Sequence, residues 1–188
     1  MIRSMLLICC FLLNAVSASA VEIAGVSLAD KIQGEDGSQL TLNGAGIRSK
    51  LFFKIYVAGF YLEHPAKTSA AVLADSGHKQ IQMHFLYDKV EKDKLIAAWN
   101  EGFEGNLSKD ELQALADRIS RFNAMFTDVK KGDTILLDYI PEKGTSVTVA
   151  GATKGVIEGK DFNDALLSIW LGKKPVTEDL KKSLLSMQ

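Results

Sequence analysis

The most constraining feature of the sequence is the segment at residues 48–62, which reads RSKLFFKIYVAGFYL. It is rich in aromatic and β-branched residues, which favour β-strands. Near its start, alternate residues separate into a mixed face and an apolar face, and a period of two is that of a strand. The segment is long for one strand, so we expect a bend or bulge near Ala58 and Gly59. We therefore predict the principal strand of a sheet here.

The remaining patterns place strands before and after a helical middle region. The predicted strands are residues 21–24, 38–42, 80–87, 133–140, 146–150 and 154–158. The predicted helices are residues 68–74, 91–103, a helix that begins at Ser108 with a capping box to Glu111, and residues 161–171 and 177–187. Strands and helices thus occur in blocks rather than in βαβ alternation, which disfavours a doubly wound parallel sheet. We predict an α+β fold in which helices are layered on one face of an antiparallel sheet.

The first 20 residues have the three parts of a secretory signal peptide. Arg3 supplies a positive start, residues 5–13 are apolar, and residues 18–20 read Ala-Ser-Ala, a cleavage site. The apolar run is shorter than the roughly 20 residues that cross a bilayer, so an uncleaved anchor, and any stable membrane span, is disfavoured. We expect cleavage after Ala20 and export to the periplasm or, as the alternative, secretion from the cell.

Cleavage would leave one domain at residues 21–188 that contains no cysteine. Cys9 and Cys10 lie inside the apolar run, which argues against a lipoprotein, and both depart with the leader. A disulfide, a thiol nucleophile and a thiolate metal site are thereby excluded from the mature chain. The full chain has a net charge of −1, and nucleic-acid binding requires a basic excess. We therefore expect no nucleic-acid partner.

Most motifs that could carry chemistry are incomplete. Gly44-Ala45-Gly46 lacks the third glycine of a dinucleotide loop and precedes a strand, so we interpret it as a positive-φ turn or a close backbone approach. His64, His78 and His84 form no metal-ligand motif, and we interpret them as surface residues. No G-x-S-x-G elbow is present, although a Ser-His-Asp site stays open. We expect no cofactor and no metal.

Arg48 and Tyr56 form the most suggestive pair of polar residues. Eight positions separate them, so in a regular strand both would project from one face. On the helix-covered side, a guanidinium and a phenol, joined by Tyr87, could bind one oxyanion or carboxylate at the mouth of an apolar cleft. The alternative is an arginine in a surface ion pair at the sheet rim and a tyrosine whose hydroxyl reaches solvent.

Several segments resemble the chalcone isomerase superfamily, and in particular its bacterial, often exported, chalcone isomerase-like branch. They are LNGAGIR at 42–48, KIYVAGFYLE at 54–63, KGVIEGKDF at 154–162 and SIWLG at 168–172. The resemblance covers most of residues 21–188. It implies an open-faced β-sandwich, in which helices cross one side of a large antiparallel sheet and leave a cleft between the two layers.

The resemblance also implies roles for individual residues. Plant enzymes of the family close a flavanone ring by attack of a phenolate on an enone, and Arg48 matches their arginine that holds the phenolate oxygen. Their water-ordering threonine falls at Tyr56, and their helix-start tyrosine could match Tyr87. The lysine and asparagine that follow it in the enzymes fall at Val90 and Lys94. Non-catalytic plant relatives bind fatty acids with an arginine and a tyrosine, which Arg48 with Tyr56 or Tyr87 resembles more closely.

Three hypotheses follow from these observations. The first is non-catalytic binding of a small apolar anion such as a fatty acid. Its expected ligand-binding residues are Arg48, Tyr56 and Tyr87, with walls that include Phe52, Trp99 and Phe103. The second is an isomerase, or intramolecular lyase, that acts on a phenolic enone with Arg48, Tyr56 and Tyr87 as catalytic residues. The third is a partner-binding module that uses an exposed helix at 177–188.

Overall fold

The computed structural model describes residues 19–186. Most of the expected signal peptide, at residues 1–18, lies outside the described residues. The strands are β1 (Ala20–Ile23), β2 (Val26–Ala29), β3 (Lys31–Gln33), β4 (Gln39–Lys50), β5 (Phe53–Leu62), β6 (Lys79–Phe85), β7 (Lys89–Val90), β8 (Val129–Lys130), β9 (Thr134–Ile140), β10 (Gly144–Val149) and β11 (Ala152–Ile157). The helices are α1 (Ser69–Ala74), α2 (Lys92–Asn106), α3 (Lys109–Ala124), α4 (Lys160–Leu171) and α5 (Glu178–Leu184).

Seven strands form one antiparallel sheet in the order β11-β10-β9-β6-β5-β4-β3. Two small antiparallel pairs, β1–β2 and β7–β8, accompany it. The predicted α+β class and the antiparallel sheet are therefore confirmed. None of the helices within residues 19–186 has the length and hydrophobicity that a membrane span requires.

The two faces of the sheet bury different partners. Along β5, Tyr56, Ala58 and Phe60 belong to the larger core, which contains the buried side chains of the helices. Val57 and Tyr61 point to the other face and pack with residues of the small β1–β2 pair. This alternation is the period of two that the sequence shows. The helices thus cover one face, as predicted.

The segment at 48–62 is not one strand, which corrects the sequence prediction. It contains the end of β4, a two-residue turn at Leu51 and Phe52, and β5. Leu51 has φ 55°, a conformation that hairpin turns usually assign to glycine or asparagine. The turn carries neither residue, so no turn signal is visible in the sequence. The ladder is irregular at Asn43 and beside Arg48, not near Ala58 and Gly59.

Gly44 and Gly46 lie inside β4, and their role is the close backbone approach rather than the positive-φ turn. A Cβ at Gly44 would collide with the backbone of α5, and one at Gly46 would collide with Ser183. Asn43, fully buried, donates to the carbonyl of Leu184 at 2.8 Å and so fastens α5 to the sheet. Helix α5 packs on β4 through Leu180 and Leu184 and is exposed only on its outer face, at Glu178, Asp179 and Lys182. This corrects the expectation of an exposed helix at 177–188 for its described residues.

His78 is fully buried, so its interpretation as a surface residue is wrong. Its Nε2 lies 2.7 Å from the Asp138 carboxylate, and its Nδ1 lies 3.0 Å from Asp36 and 2.9 Å from the Ser38 hydroxyl. Burial lowers its pKa, but the hydrogen bonds and charges of Asp138 and Asp36 outweigh burial, so the pKa is raised above its usual value. The network ties the turn before β4 to β6 and β9.

The same contacts bring Ser38, His78 and Asp138 together without making a nucleophilic triad. The Ser38 hydroxyl donates to the Asp36 carboxylate at 2.6 Å, and His78 faces a carboxylate from each ring nitrogen. The Ser38 proton is thus directed at Asp36 and both ring nitrogens of His78 at carboxylates, which is not the arrangement of a nucleophile and its base. Among residues 19–186, no cluster of three or more His, Asp or Glu side chains is placed to hold a metal ion.

We predict that the contribution of His78 to stability disappears at alkaline pH. The pKa of His78 is higher in the folded chain than the usual 6.5. Protonation of His78 therefore stabilises the fold, with its full effect below pH 6.5, and this stabilisation is lost as the pH rises through the raised pKa. Urea denaturation of wild type and His78→Gln between pH 6 and pH 9 should show a stability difference that shrinks with pH. His84→Gln is the control, because burial lowers the pKa of His84 and reverses the expected slope. Parallel curves for wild type and His78→Gln would contradict the assignment.

Candidate functional site

Strand pairing brings Arg48 and Tyr56 together. The two residues are direct partners in the antiparallel β4–β5 ladder, and direct partners project from the same face of a sheet. The Arg48 guanidinium carbon lies 5.8 Å from the centroid of the Tyr56 ring, which allows a cation–π contact. Tyr56 belongs to the helix-side core. The pair thus lies on the expected face, but on two strands instead of one.

A bulge follows this pair immediately. Ser49 faces Lys54, which leaves Ile55 as an extra residue in β5. The Ile55 carbonyl accepts the backbone N–H groups of Leu86 and Tyr87 at 2.8 and 3.2 Å. Bulges change the direction of neighbouring side chains and often adjoin functional sites. Arg48 is therefore the last residue of β4 before the regular ladder ends.

Arg48 lines a cavity of about 590 Å³ between the end of β4, helix α2 and the segment that follows α4. The volume lies in the range that small-molecule sites occupy. The lining residues are Arg48, Ser49, Lys50, Ala98, Glu101, Gly102, Glu104, Gly105, Ile169, Lys174, Pro175 and Val176. The lining therefore combines apolar surface from α2, α4 and the α4–α5 connection with five charged side chains.

Hydrogen bonds to its backbone atoms fix the position of the α4–α5 connection. The Asn106 amide at the end of α2 donates to the Lys174 carbonyl and accepts the Lys174 N–H, both at 2.9 Å. The Val176 N–H donates to the Ile169 carbonyl at 2.8 Å. Gly102 allows close packing, because a Cβ there would collide with Ile169. The cavity wall is consequently held in place by α2 and α4.

Two buried donors have no acceptor among the described residues, and one of them belongs to Arg48, which lines the cavity. Arg48 Nε and Trp99 Nε1 are both buried and unpaired. Trp170 Nε1 donates to the Tyr56 hydroxyl oxygen at 3.0 Å, so the hydroxyl keeps its own hydrogen for another acceptor. Buried polar groups are nearly always paired in folded proteins, and exceptions point to function or to a ligand. Of the two unpaired donors, only that of Arg48 is on a residue that lines the cavity, and it suits an anionic or oxygen-rich ligand.

Burial raises the pKa of Tyr56, and the Arg48 charge and the Trp170 hydrogen bond offset this only in part. The phenol therefore remains protonated across the physiological range. In that state its hydroxyl donates a hydrogen bond and does not act as a base. Tyr56 contacts Arg48 from within the core, and it is not among the residues that line the cavity.

The other expected site residues lie elsewhere. Phe52 is 97% exposed at the tip of the β4–β5 turn, so the expectation that it forms a cleft wall is wrong. Tyr87 lies beyond the end of β6 and packs edge-on against Phe53, with ring centroids 5.6 Å apart. It does not join Arg48 and Tyr56. Trp99 and Phe103 are buried in the core against Phe122, and neither lines the cavity.

The sequence analysis missed the contribution of α2 to the cavity. Ala98, Glu101, Gly102 and Gly105 follow a spacing of three, one and three residues, which places them on one helix face. Three of these four residues are small. The signal available in the sequence was the group of small residues in α2, next to the large apolar residues of the same helix. Small residues leave space for a cavity where larger side chains would fill it.

We predict that Tyr56→Phe lowers the free energy of unfolding by about 1–3 kcal/mol, because it leaves the buried Trp170 donor without its acceptor. Urea denaturation measures the change. Tyr61→Phe is the matched control, because Tyr61 is equally buried on the opposite face of β5 but its hydroxyl makes no hydrogen bond within residues 19–186, so the loss of stability should be smaller. Equal effects of the two substitutions would show that the Trp170–Tyr56 hydrogen bond contributes nothing to stability.

Comparison with known proteins agrees with this architecture. The fatty-acid binding protein AtFAP1 of Arabidopsis thaliana has a similar structure, with a TM-score of 0.64 and 16% sequence identity, covering 89% of this chain and 96% of that one. At this identity the likeness concerns the fold. No curated protein sequence matches the chain significantly. The profile of the chalcone isomerase-like family matches residues 20–186, and the chain therefore belongs to that family.

Proposed function

We propose that this protein is an exported, non-catalytic chalcone isomerase-like protein that binds a small apolar anion, such as a fatty acid, in the cavity beside Arg48. The observation that carries the proposal is the environment of the Arg48 side chain. Its guanidinium lines the cavity, rests against the Tyr56 ring and has a buried, unpaired Nε. A carboxylate is the ligand group whose geometry and charge best match a guanidinium.

The cavity provides for both ends of such a ligand. The carboxylate accepts hydrogen bonds from Arg48, and the apolar chain packs against Ala98, Ile169, Pro175 and Val176. The lining contains three positive side chains, from Arg48, Lys50 and Lys174, and two negative ones, from Glu101 and Glu104. The excess of one positive charge favours an anion over a neutral or cationic ligand.

The fold likeness to a fatty-acid binding protein supports the proposed ligand class. Tyr56 is the second supporting residue, because its ring lies within cation–π distance of the guanidinium and its hydroxyl hydrogen is uncommitted within the described residues. It orients Arg48 from the core and so fixes where the carboxylate binds.

Isomerase chemistry receives less support from the geometry. Ring closure of a phenolic enone needs one group at the phenolate oxygen and another that polarises the ketone. Of the three expected residues, Arg48 lines the cavity, Tyr56 lies behind it, and Tyr87 lies against Phe53 at the sheet edge. A single cation at the cavity suits binding of an anion better than two-point activation of a ketone.

Export rests on the pattern of residues 1–20. The proposed cleavage bond follows Ala20, which is the first residue of β1 and is exposed, as is Ser19. Cleavage there shortens β1 by one residue, removes the Ser19 carbonyl that accepts the Asp30 N–H, and leaves the half-buried side chains of β1 in place. Cleavage after Ala20 would therefore leave the core of the folded domain intact.

We predict that the protein distinguishes a long-chain fatty acid from the corresponding fatty alcohol, and that Arg48→Gln removes the distinction. A charged hydrogen bond of this kind contributes enough for a loss of about 10- to 100-fold in affinity for the acid. Binding of the alcohol should change little. Isothermal titration calorimetry of wild type and variant with both ligands measures the effect.

Two further variants control this experiment. Arg121→Gln removes an exposed arginine that pairs with Glu158, away from the cavity, and should bind the acid like wild type. Ala98→Leu fills the cavity from a half-buried helix position and should weaken acid and alcohol alike. Equal affinities of wild type for acid and alcohol, or unchanged acid binding in Arg48→Gln, would refute the proposed role of Arg48.

Export has its own test. When the full sequence is expressed in a bacterium with a secretion pathway, we predict that the protein accumulates outside the cytoplasm with Val21 as its first residue. Cell fractionation and intact-mass measurement give the location and the N-terminus. Ala18→Leu together with Ala20→Leu removes the small residues of the cleavage site and should block processing. Recovery of unprocessed wild-type protein in the cytoplasm would contradict export.

A further inference from the structure

The large hydrophobic side chains that the described residues expose all lie in one place. Leu51, Phe52, Phe53 and Tyr87 are 85%, 97%, 55% and 37% exposed, and no other large hydrophobic residue within 19–186 is exposed to this degree. The first three are consecutive at the β4–β5 turn, and the Tyr87 ring packs edge-on against Phe53. We call these four residues the hydrophobic tip. Their clustering shows that the exposure is not scattered surface variation.

Neither folding nor solubility explains the residues of this tip. Leu51 occupies a positive-φ position of a two-residue hairpin turn, where glycine or asparagine fits without strain. Burial does not compensate for this strain, because the Leu51 side chain projects into solvent. Phe52 beside it is almost wholly exposed. A turn with this composition is unfavourable for the isolated chain, which indicates that a partner covers it.

Positive charge surrounds the hydrophobic tip. Lys50 and Lys54 flank it on the two strands, both are exposed, and neither pairs with a carboxylate within residues 19–186. The neighbouring β7–β8 region has no net charge from its lysines and aspartates, because three of each are present. They are Lys89, Lys130 and Lys131, and Asp88, Asp128 and Asp133. The excess at the tip therefore comes from the two flanking lysines and favours an anionic partner.

We propose that the hydrophobic tip inserts into the interface of a phospholipid bilayer that contains anionic lipids. Aromatic and aliphatic side chains bordered by lysines match the boundary between acyl chains and anionic headgroups. A specific protein interface usually takes about 20 residues on each side, far more than one turn and a neighbouring ring supply. A narrow projection of this kind is suited to insertion.

This surface is distinct from the cavity, although Lys50 adjoins both. The proposal concerns a bilayer and not a single bound lipid, and it holds whether or not the cavity binds a carboxylate. The experiment is therefore made with protein to which no fatty acid has been added.

Phe52→Trp provides a fluorescent reporter at the tip itself. The native tryptophans, Trp99 and Trp170, are 3% and 0% exposed, so lipid-borne quenchers should hardly affect wild-type fluorescence. Vesicles that contain phosphatidylglycerol and brominated phosphatidylcholine should shift the emission of the introduced indole to shorter wavelength and quench it. Contacts between residues 1–18 and vesicles would not depend on the side chains of the tip, so substitutions at the tip separate such contacts from insertion.

Variants in the reporter background separate the contributions. Leu51→Gly should fold with unchanged or greater stability but bind about tenfold more weakly, because it removes an inserted side chain while relieving the turn. Lys50→Gln with Lys54→Gln should weaken binding by about fivefold per charge and reduce its salt dependence. Lys154→Gln, an exposed lysine of β11, is the control and should have no effect.

The outcomes decide between a membrane and other partners. Quenching of the reporter on anionic vesicles that is weaker on pure phosphatidylcholine and lost at high salt supports the proposal. Reporter emission that is neither shifted nor quenched on anionic vesicles overturns it. Concentration-dependent dimerisation without vesicles that Phe52→Ser abolishes also overturns it, since the tip would then be an interface between two copies of the chain.

Discussion

The candidate site depends on one cross-strand pair, in which the Arg48 guanidinium faces the buried Tyr56 ring and forms no salt bridge with a carboxylate of the described residues. A half-buried arginine normally acquires an acidic partner, because removing its charge from water is costly. Here the cation instead lies 5.8 Å from the centroid of the Tyr56 ring, whose hydroxyl accepts a hydrogen bond from Trp170. The pairing therefore holds a positive charge in place at the cavity and leaves its donors free.

The surrounding structure fixes this pair from both sides. Asn43 and the two glycines of β4 let α5 lie directly on the strand that carries Arg48. Asn106 binds the backbone of Lys174 and so holds the opposite wall of the cavity. Because both walls are anchored through backbone atoms, the cavity should keep its shape before a ligand binds, and preformed sites lose less entropy on binding.

Much of the fold could be predicted from the sequence, because hydrophobic period and capping residues report local structure directly. The α3 helix with its Ser108–Glu111 capping box, the strands β9 and β10, and the α4 helix follow from such patterns. The β4–β5 turn could not be predicted, because Leu51 and Phe52 are not among the residues that mark a hairpin. A long run of strand-forming residues then resembles one strand. The burial of His78 was also hidden, since Asp36 and Asp138 are remote from it in sequence and meet it only through strand pairing.

The same limits explain the prediction of the site. Arg48 and Tyr56 were expected on one face because of their even spacing, whereas they share it because they are opposite each other in a hairpin. That the two residues share a face was thus predicted correctly, but for a different geometric reason. Phe52 was expected in the cleft wall, but the turn places it at the exposed end of the hairpin.

The most direct test of the central claim is the ¹H–¹⁵N resonance of the Arg48 Nε group. The sequence contains four arginines, at positions 3, 48, 118 and 121, so the signal can be assigned by substitution. Titration with a long-chain fatty acid should shift the Arg48 resonance downfield to saturation, as expected for a donor that gains a carboxylate. The Arg118 and Arg121 resonances should not move in that titration, and the fatty alcohol should leave the Arg48 resonance in place. A saturating acid titration that moves other resonances but not that of Arg48 would contradict the account.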